Sequence, residues 1–166
     1  MEYEERDAPE NQDAEEEIKP EFEGFFGNYD HGLDVKNRAF VPSKFKADIG
    51  ARFMLTKGVD KYLMGYRMED WRSIRGNLYK IPISDQEGTF FKRQIVGNVT
   101  ECELDKQGRF CIPQKLREYA QLEKDVCFVG MLEHFEIWAS DKWKEANDKM
   151  DNNIDKTVQK MDIYFR

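Results

Sequence analysis

Short apolar runs separated by turn residues dominate the second half of the chain, and they predict strands. Val99 to Leu104 has the composition of a strand, and Asp105-Lys106-Gln107-Gly108 reads as a turn. Asp holds the first turn position through its side chain, and Gly accepts the left-handed backbone of a type I turn with a bulge. Arg109 to Ile112 is the returning strand. Pro113 has no N–H for a sheet but suits the first turn of a helix. That predicts a short helix from Gln114 to Ala120, with Leu116 and Tyr119 facing inward. Val126 to Val129 and Phe135 to Trp138 predict two further strands, with Gly130 near the turn between them and Ser140 capping a helix that carries Trp143.

The same pattern occurs earlier in the chain. Sliding the sequence by 71 lays Leu33-Asp34 on Leu104-Asp105, Arg38 on Arg109, and Val41-Pro42 on Ile112-Pro113. One inserted residue later, Gly58 meets Gly130, Leu63 meets Phe135 and Trp71 meets Trp143. The chain is a duplication. The first copy predicts a strand to Leu33, a turn at Asp34-Val35-Lys36-Asn37, a strand from Arg38 to Val41 and a helix from Pro42. Strands at Phe53–Lys57 and Tyr62–Tyr66 and a helix around Glu69–Ile74 follow. Asn37 occupies the glycine position of the turn, and Asn is among the few residues that visit positive φ readily. A unit of this size buries too little surface to stand alone, so the two copies are expected to share one core. The many short strands have edges to cover, which favours assembly.

Between the copies, Ser84-Asp85-Gln86-Glu87 fits a capping box opening a helix through Phe90, Phe91 and Ile95 that stops at Gly97. After Trp143, Met150, Ile154, Val158, Met161 and Phe165 recur at helical spacing within a polar stretch whose five acids and five bases balance. This predicts an amphipathic helix.

Charge changes the picture only once it is divided along the chain. The net charge of −7 argues against an anionic partner, but residues 1–23 hold eleven acids against two bases. That segment therefore carries −9, and residues 24–166 carry +2. The acidic stretch is expected to be disordered and either solubilising or a self-inhibitory arm competing with an anionic ligand. No run approaches the ~20 apolar residues of a membrane helix. The acidic start resembles neither a secretory signal nor a transit peptide. Cys102, Cys111 and Cys127 are odd in number and lack C-x-x-C spacing, so a reduced, cytoplasmic setting without a disulfide framework or thiolate zinc site is expected.

Catalytic chemistry is not indicated. His31 and His134 have no metal-ligand spacing and are expected on strand surfaces, and Cys111 is expected to be a buried structural thiol. What recurs instead is a basic residue at the same place twice. Arg38 and Arg109 each begin the strand leaving a turn, and Lys36 and Lys106 sit inside the turns. Lys44, Lys46, Lys115 and Arg117 follow on the short helices. Folding requires Asp and Gly or Asn in such a turn but has no obvious need for the arginine. If the copies pack about a pseudo-twofold axis, paired arginines can meet a phosphate backbone or fork onto guanine in a groove. An isolated basic turn would be read as a solvated hairpin tip.

These strings carry a family resemblance. Thr100-Glu101-Cys102-Glu103-Leu104 leading into Asp105-Lys106-Gln107-Gly108-Arg109 closely resembles the MraZ family. So do Leu116-Arg117-Glu118-Tyr119-Ala120, Leu122-Glu123-Lys124 and Phe135-Glu136-Ile137-Trp138, with Leu33-Asp34-Val35-Lys36-Asn37-Arg38 as the matching first copy. The resemblance covers roughly residues 25–145 and implies an α+β, mostly β fold. It would be built of tandem SpoVT-AbrB-like, swapped-hairpin domains with about four short strands each, related by a pseudo-twofold within the chain. The expected divisions are an acidic tail at 1–23, domains at 25–72 and 98–144, a helical linker at 73–97 and a C-terminal amphipathic helix at 145–166.

The resemblance also implies a function. Family members are bacterial, nucleoid-associated transcriptional regulators that form rings and bind short direct repeats in the promoter of the division and cell-wall gene cluster. DNA contact falls on Lys36, Asn37, Arg38, Lys106, Gln107 and Arg109, with no cofactor, small-molecule substrate or membrane. Asn37 departs from the family's usual glycine, a change that could tilt Arg38, and the extension at 1–23 is also unusual. A different class remains open, an antitoxin-like or scaffolding protein with a protein partner. A hydrolase using Cys111 or His134 is a third, weaker reading.

Overall fold

The computed structural model describes residues 21–166; the acidic segment lies outside the described residues up to position 20. Of the first copy, β1 (Asn28–Gly32) and β2 (Arg38–Phe40) flank the turn, and α1 (Ser43–Ile49) follows. Then come β3 (Arg52–Lys57), β4 (Leu63–Arg67) and α2 (Met68–Tyr79). After α3 (Gln86–Ile95), the second copy repeats the order as β5 (Thr100–Glu103), β6 (Arg109–Cys111), α4 (Gln114–Tyr119), β7 (Asp125–Gly130), β8 (His134–Ala139) and α5 (Ser140–Met161). The fold is α+β, mostly strands with short helices, with two tandem repeats. Among the described residues, no helix is long and apolar enough to cross a membrane.

The strands form a six-stranded antiparallel sheet in the order β1-β7-β8-β4-β3-β5 and a separate two-stranded ribbon of β2 and β6. The order reads the same from either end once equivalent strands of the two copies are exchanged. At its centre Met64 faces its own equivalent, Glu136, with Leu63 opposite Ile137 and Phe135 opposite Gly65. Each copy's leading strand crosses to the other copy: β1 pairs with β7, and β5 with β3. The two copies accordingly bury one continuous core. Phe25, Phe45 and Phe53 from the first copy meet Phe110, Phe128 and Phe135 from the second. Phe53 and Phe110 meet edge to face with centroids 4.9 Å apart, as do Phe25 and Phe135 at 5.4 Å.

Several local expectations change. Pro42 and Pro113 stand at the N-cap rather than inside the first turn. The cap of α3 is Asp85, not Ser84: its carboxylate accepts from the amide of Gly88, three residues on, at 2.8 Å. Ser140 is the first helical residue of α5 and caps nothing through its side chain. The Trp143 helix and the amphipathic stretch are one helix, and α2 runs beyond Ile74 to Tyr79. Cys111 is exposed, whereas Cys102 and Cys127 are buried. Alternation explains the reversal: Phe110 takes the inward position of β6, so Cys111 faces out. Burial raises the Cys102 thiol to about 12 and that of Cys127 to about 11. His31 lies against Phe128 and His134 against Tyr66, both half-buried on strands. The buried Glu136 accepts from the Trp138 indole at 2.9 Å.

Gly65 marks the tightest point beside the axis. A Cβ there would collide with the fully buried Phe135 ring, which is packed on other phenylalanines and has nowhere to go. Gly65→Ala is expected to cost about 1–3 kcal/mol by overpacking. At roughly 2–4 °C per kcal/mol for a chain this size, thermal melting followed by circular dichroism reads that loss directly.

Candidate nucleic-acid interface

The two turns are built alike. In the second copy, Asp105 Oδ1 accepts from the backbone amides of Gln107 and Arg109, each at 2.9 Å, and Gly108 sits at φ 77°. In the first, Asp34 Oδ1 accepts from Lys36 and Arg38, also at 2.9 Å, and Asn37 sits at φ 58°. The other carboxylate oxygen holds the arginine. Arg38 Nε donates to Asp34 Oδ2 at 2.7 Å and Arg109 Nε to Asp105 Oδ2 at 2.8 Å. The near-identical geometry means that Asn37 does not tilt Arg38.

These ion pairs correct one sequence inference. The arginine has a structural partner after all, since the carboxylate that shapes the turn also anchors the guanidinium. Only Nε is used. The anchor restricts where each guanidinium points and leaves its terminal Nη groups without an internal hydrogen bond among the described residues.

The ribbon brings the turns together. Arg38 is opposite Cys111, Ala39 opposite Phe110 and Phe40 opposite Arg109. Two further bonds lengthen it symmetrically: the Val41 amide donates to the Gly108 carbonyl at 3.0 Å and the Ile112 amide to the Asn37 carbonyl at 3.4 Å. The turns enter the ribbon from opposite ends, and the arginines still share a face. Because partners across antiparallel strands and residues two apart point the same way, Arg38, Phe40, Arg109 and Cys111 face outward. Ala39 and Phe110 face the core, both buried. The arginines occupy diagonal positions, which puts their backbones about 7–8 Å apart. Arg109 lies 5.9 Å from the Phe40 ring centre.

Lys36, Asn37, Lys106 and Gln107 are exposed on the turns, and Arg38 and Arg109 are half-buried beside them. Thus all six residues singled out in the sequence flank one ribbon. Two neighbours were not singled out as site residues. Lys46 lies across the second turn, where a Cβ at Gly108 would stand 3.0 Å from its Cε and Nζ. Its equivalent, Arg117, instead donates to the Ile112 carbonyl. Phe40 shares the outward face, and the two-residue alternation from Arg38 was the available signal for it.

This geometry comes with a close match to known proteins. The family described as "MraZ protein, putative antitoxin-like" matches residues 25–94 and again residues 95–163. The chain belongs to the MraZ family. Among similar MraZ proteins, the "Transcriptional regulator MraZ" of Alkaliphilus metalliredigens (strain QYMF) is 41% identical over 138 residues, 83% of this chain and 96% of the relative. The protein of that name from Clostridium tetani (strain Massachusetts / E88) is 44% identical over 131 residues, 79% of this chain and 90% of its own length. The two matched MraZ segments carry one turn each, in agreement with the duplication.

The turn carboxylates make the site pH-sensitive. Asp34 and Asp105 are held below the ordinary carboxylate value, first by the backbone N–H of Arg38 or Arg109, then by the same arginine's side chain and the amide of Lys36 or Gln107. Folding lowers these pKa values, so their support is complete above the ordinary carboxylate range and disappears as pH falls through the lowered values. In an NMR pH titration, the Arg38 and Arg109 amide signals are expected to hold through the ordinary range and move only below it. Asp105→Asn should move the Arg109 Nε signal at neutral pH while the fold persists.

Proposed function

We propose that this chain is a DNA-binding transcriptional regulator that reads duplex DNA with the β2–β6 ribbon and its two turns. The observation that carries the reading is the symmetric ribbon, with two anchored arginines on one exposed face. A two-stranded antiparallel ribbon has the width to enter a major groove. The two arginines stand on one outward face of the ribbon, so both can reach bases or phosphates of one short box. Lys36, Lys106 and Lys46 supply phosphate contacts, and Asn37 and Gln107 supply amide groups that suit base edges or sugar–phosphate oxygens. The crossing leading strands support the swapped-hairpin domain reading.

The relatives' name, transcriptional regulator, supports the same assignment. The finer proposal is that the chain acts in the cytoplasm on the nucleoid, at direct repeats in the promoter of the division and cell-wall cluster. A single ribbon is a small interface. Protomers joined head to tail in a ring present identical ribbons in one direction, which matches direct repeats and adds avidity through effective concentration. The outer positions of β1 and β5 in the sheet support assembly, since among the described residues no strand pairs with their outer edges.

Arg38→Ala and Arg109→Ala are each expected to weaken specific binding by about 1–3 kcal/mol per module, amplified by avidity, with an unchanged circular dichroism spectrum. Arg→Lys at either position should keep non-specific binding and lose sequence preference, because lysine neutralises phosphate but cannot fork. Gel-shift titrations on the chain's own upstream region, across salt concentrations, distinguish these outcomes. Unchanged affinity in both alanine variants would falsify the ribbon assignment.

A further inference from the structure

The chain enters the described structure at Glu21, close to the first ribbon strand. Phe22 lies over the Arg67 guanidinium at 3.5 Å and meets Phe25 edge to face at 5.0 Å. Glu21 and Glu23 line one surface hollow with Lys44 and Asp48 of α1. Helix α1 continues β2 through Pro42. Lys44 therefore stands four residues beyond Phe40, no more than about 14 Å along the chain. The twenty residues before Glu21 can span up to about 70 Å at full extension. The outward face of the ribbon lies well within that reach.

Charge selects that face. Residues 1–20 hold nine acids and two bases, a net −7. The whole chain also carries −7, so residues 21–166 balance. They do not balance evenly. The two turn-to-helix units, Asp34–Ile49 and Asp105–Ala120, hold eight bases against four acids, +4, and leave −4 on the rest of residues 21–166. Two of those four acids, Asp34 and Asp105, are the turn anchors. Glu103, just before the second turn, stands opposite Arg52 across the β3–β5 pair. Among the described residues, Lys36, Lys44, Lys46, Lys106 and Lys115 are in no ion pair. Other basic groups are answered nearby. Arg52 pairs with Glu101 and Arg67 with Asp70, and Lys57 and Lys61 lie over the Tyr119 ring. Met68–Gly97 holds five bases against four acids, and Ser140–Arg166 holds six of each.

We propose that the acidic segment 1–20 docks on the outward face of its own chain's β2–β6 ribbon, its carboxylates meeting the Nη groups of Arg38 and Arg109 and the lysines of the turns. The inference rests on the reading of that ribbon as a DNA-binding surface and assigns its regulation. A carboxylate offers a guanidinium the same two-oxygen fork that a phosphate does. The segment therefore stands in for the DNA backbone and holds the ribbon closed to it. Tethering makes the contact intramolecular, at an effective concentration on the order of millimolar. A segment that covers the ribbon about nine-tenths of the time lowers the apparent affinity for DNA by about tenfold.

The test uses the full-length chain. Cys111 stands exposed on the outward face of the ribbon, opposite Arg38, while Cys102 and Cys127 are buried. With Ala14→Cys, mild oxidation is expected to link position 14 to Cys111 within one chain, at the 19.7 kDa of the monomer on a non-reducing gel. Glu10→Gln, Asp13→Asn, Glu15→Gln, Glu16→Gln and Glu17→Gln together should suppress that link and move the Arg38 and Arg109 side-chain NMR signals in the absence of DNA. The same five changes should tighten binding to a duplex of unrelated sequence by about tenfold at low salt, and the gain should shrink as added salt screens the contact. No link and unmoved arginine signals would overturn the proposal and leave the segment a solubilising one. A link between chains instead of within one would overturn docking on the segment's own ribbon. Duplex affinity that falls with Arg38→Ala but ignores the five neutralised acids would overturn the inhibition. A link within the chain, with duplex affinity indifferent to both sets of changes, would uphold the contact and remove the DNA reading of the ribbon instead.

Discussion

Ala39 and Phe110 face each other across the β2–β6 ribbon, and the remaining geometry depends on that pairing. They are equivalent positions of the two copies, so the pairing puts the pseudo-twofold axis through the ribbon. With this register, two buried side chains point into the core and four side chains point outward. A slip of one residue would turn Arg38 and Arg109 into the phenylalanine cluster and expose Phe110. The cost of burying two guanidiniums makes the register unambiguous. The hydrophobic core thereby sets the direction of the proposed binding groups.

The crossing of β1 and β5 follows from the same constraint. One copy lacks the apolar surface to close its own core, and the ribbon already holds the two copies face to face. Each leading strand then finds the free edge of the other copy's hairpin, and Phe53 packs on Phe110 across the junction. The turn joining each leading strand to its ribbon strand thus links two sheets. Asp34 and Asp105 hold this corner with two backbone amides and one guanidinium apiece.

Much of this was legible in the residues. The repeat, the eight strands and the six turn-flanking positions follow from the D-x-x-x-R string and the apolar runs, because turn chemistry and strand alternation are local. The misread positions each have their own cause. Cys111 was assigned to the interior, although alternation from Phe110 turns it outward. Ser84 and Ser140 have cap chemistry, yet Asp85 reaches the Gly88 amide with a full charge and Ala139 takes the position before α5. The arginines seemed free of structural duty because an ion pair four residues back depends on the turn folding the chain onto itself.

By itself the sequence determined that the molecule is a duplication, that each copy carries a basic turn shaped by Asp and by Asn or Gly, and that neither copy suffices alone. These are matters of local backbone preference and of apolar surface available per residue. The tertiary structure decided which strand joins which sheet, that the two arginines share one face although their turns enter from opposite ends, and that α5 leaves half its apolar stripe exposed. Those outcomes depend on long-range register and packing, where the free energy is settled between residues some seventy positions apart, beyond the reach of any local pattern.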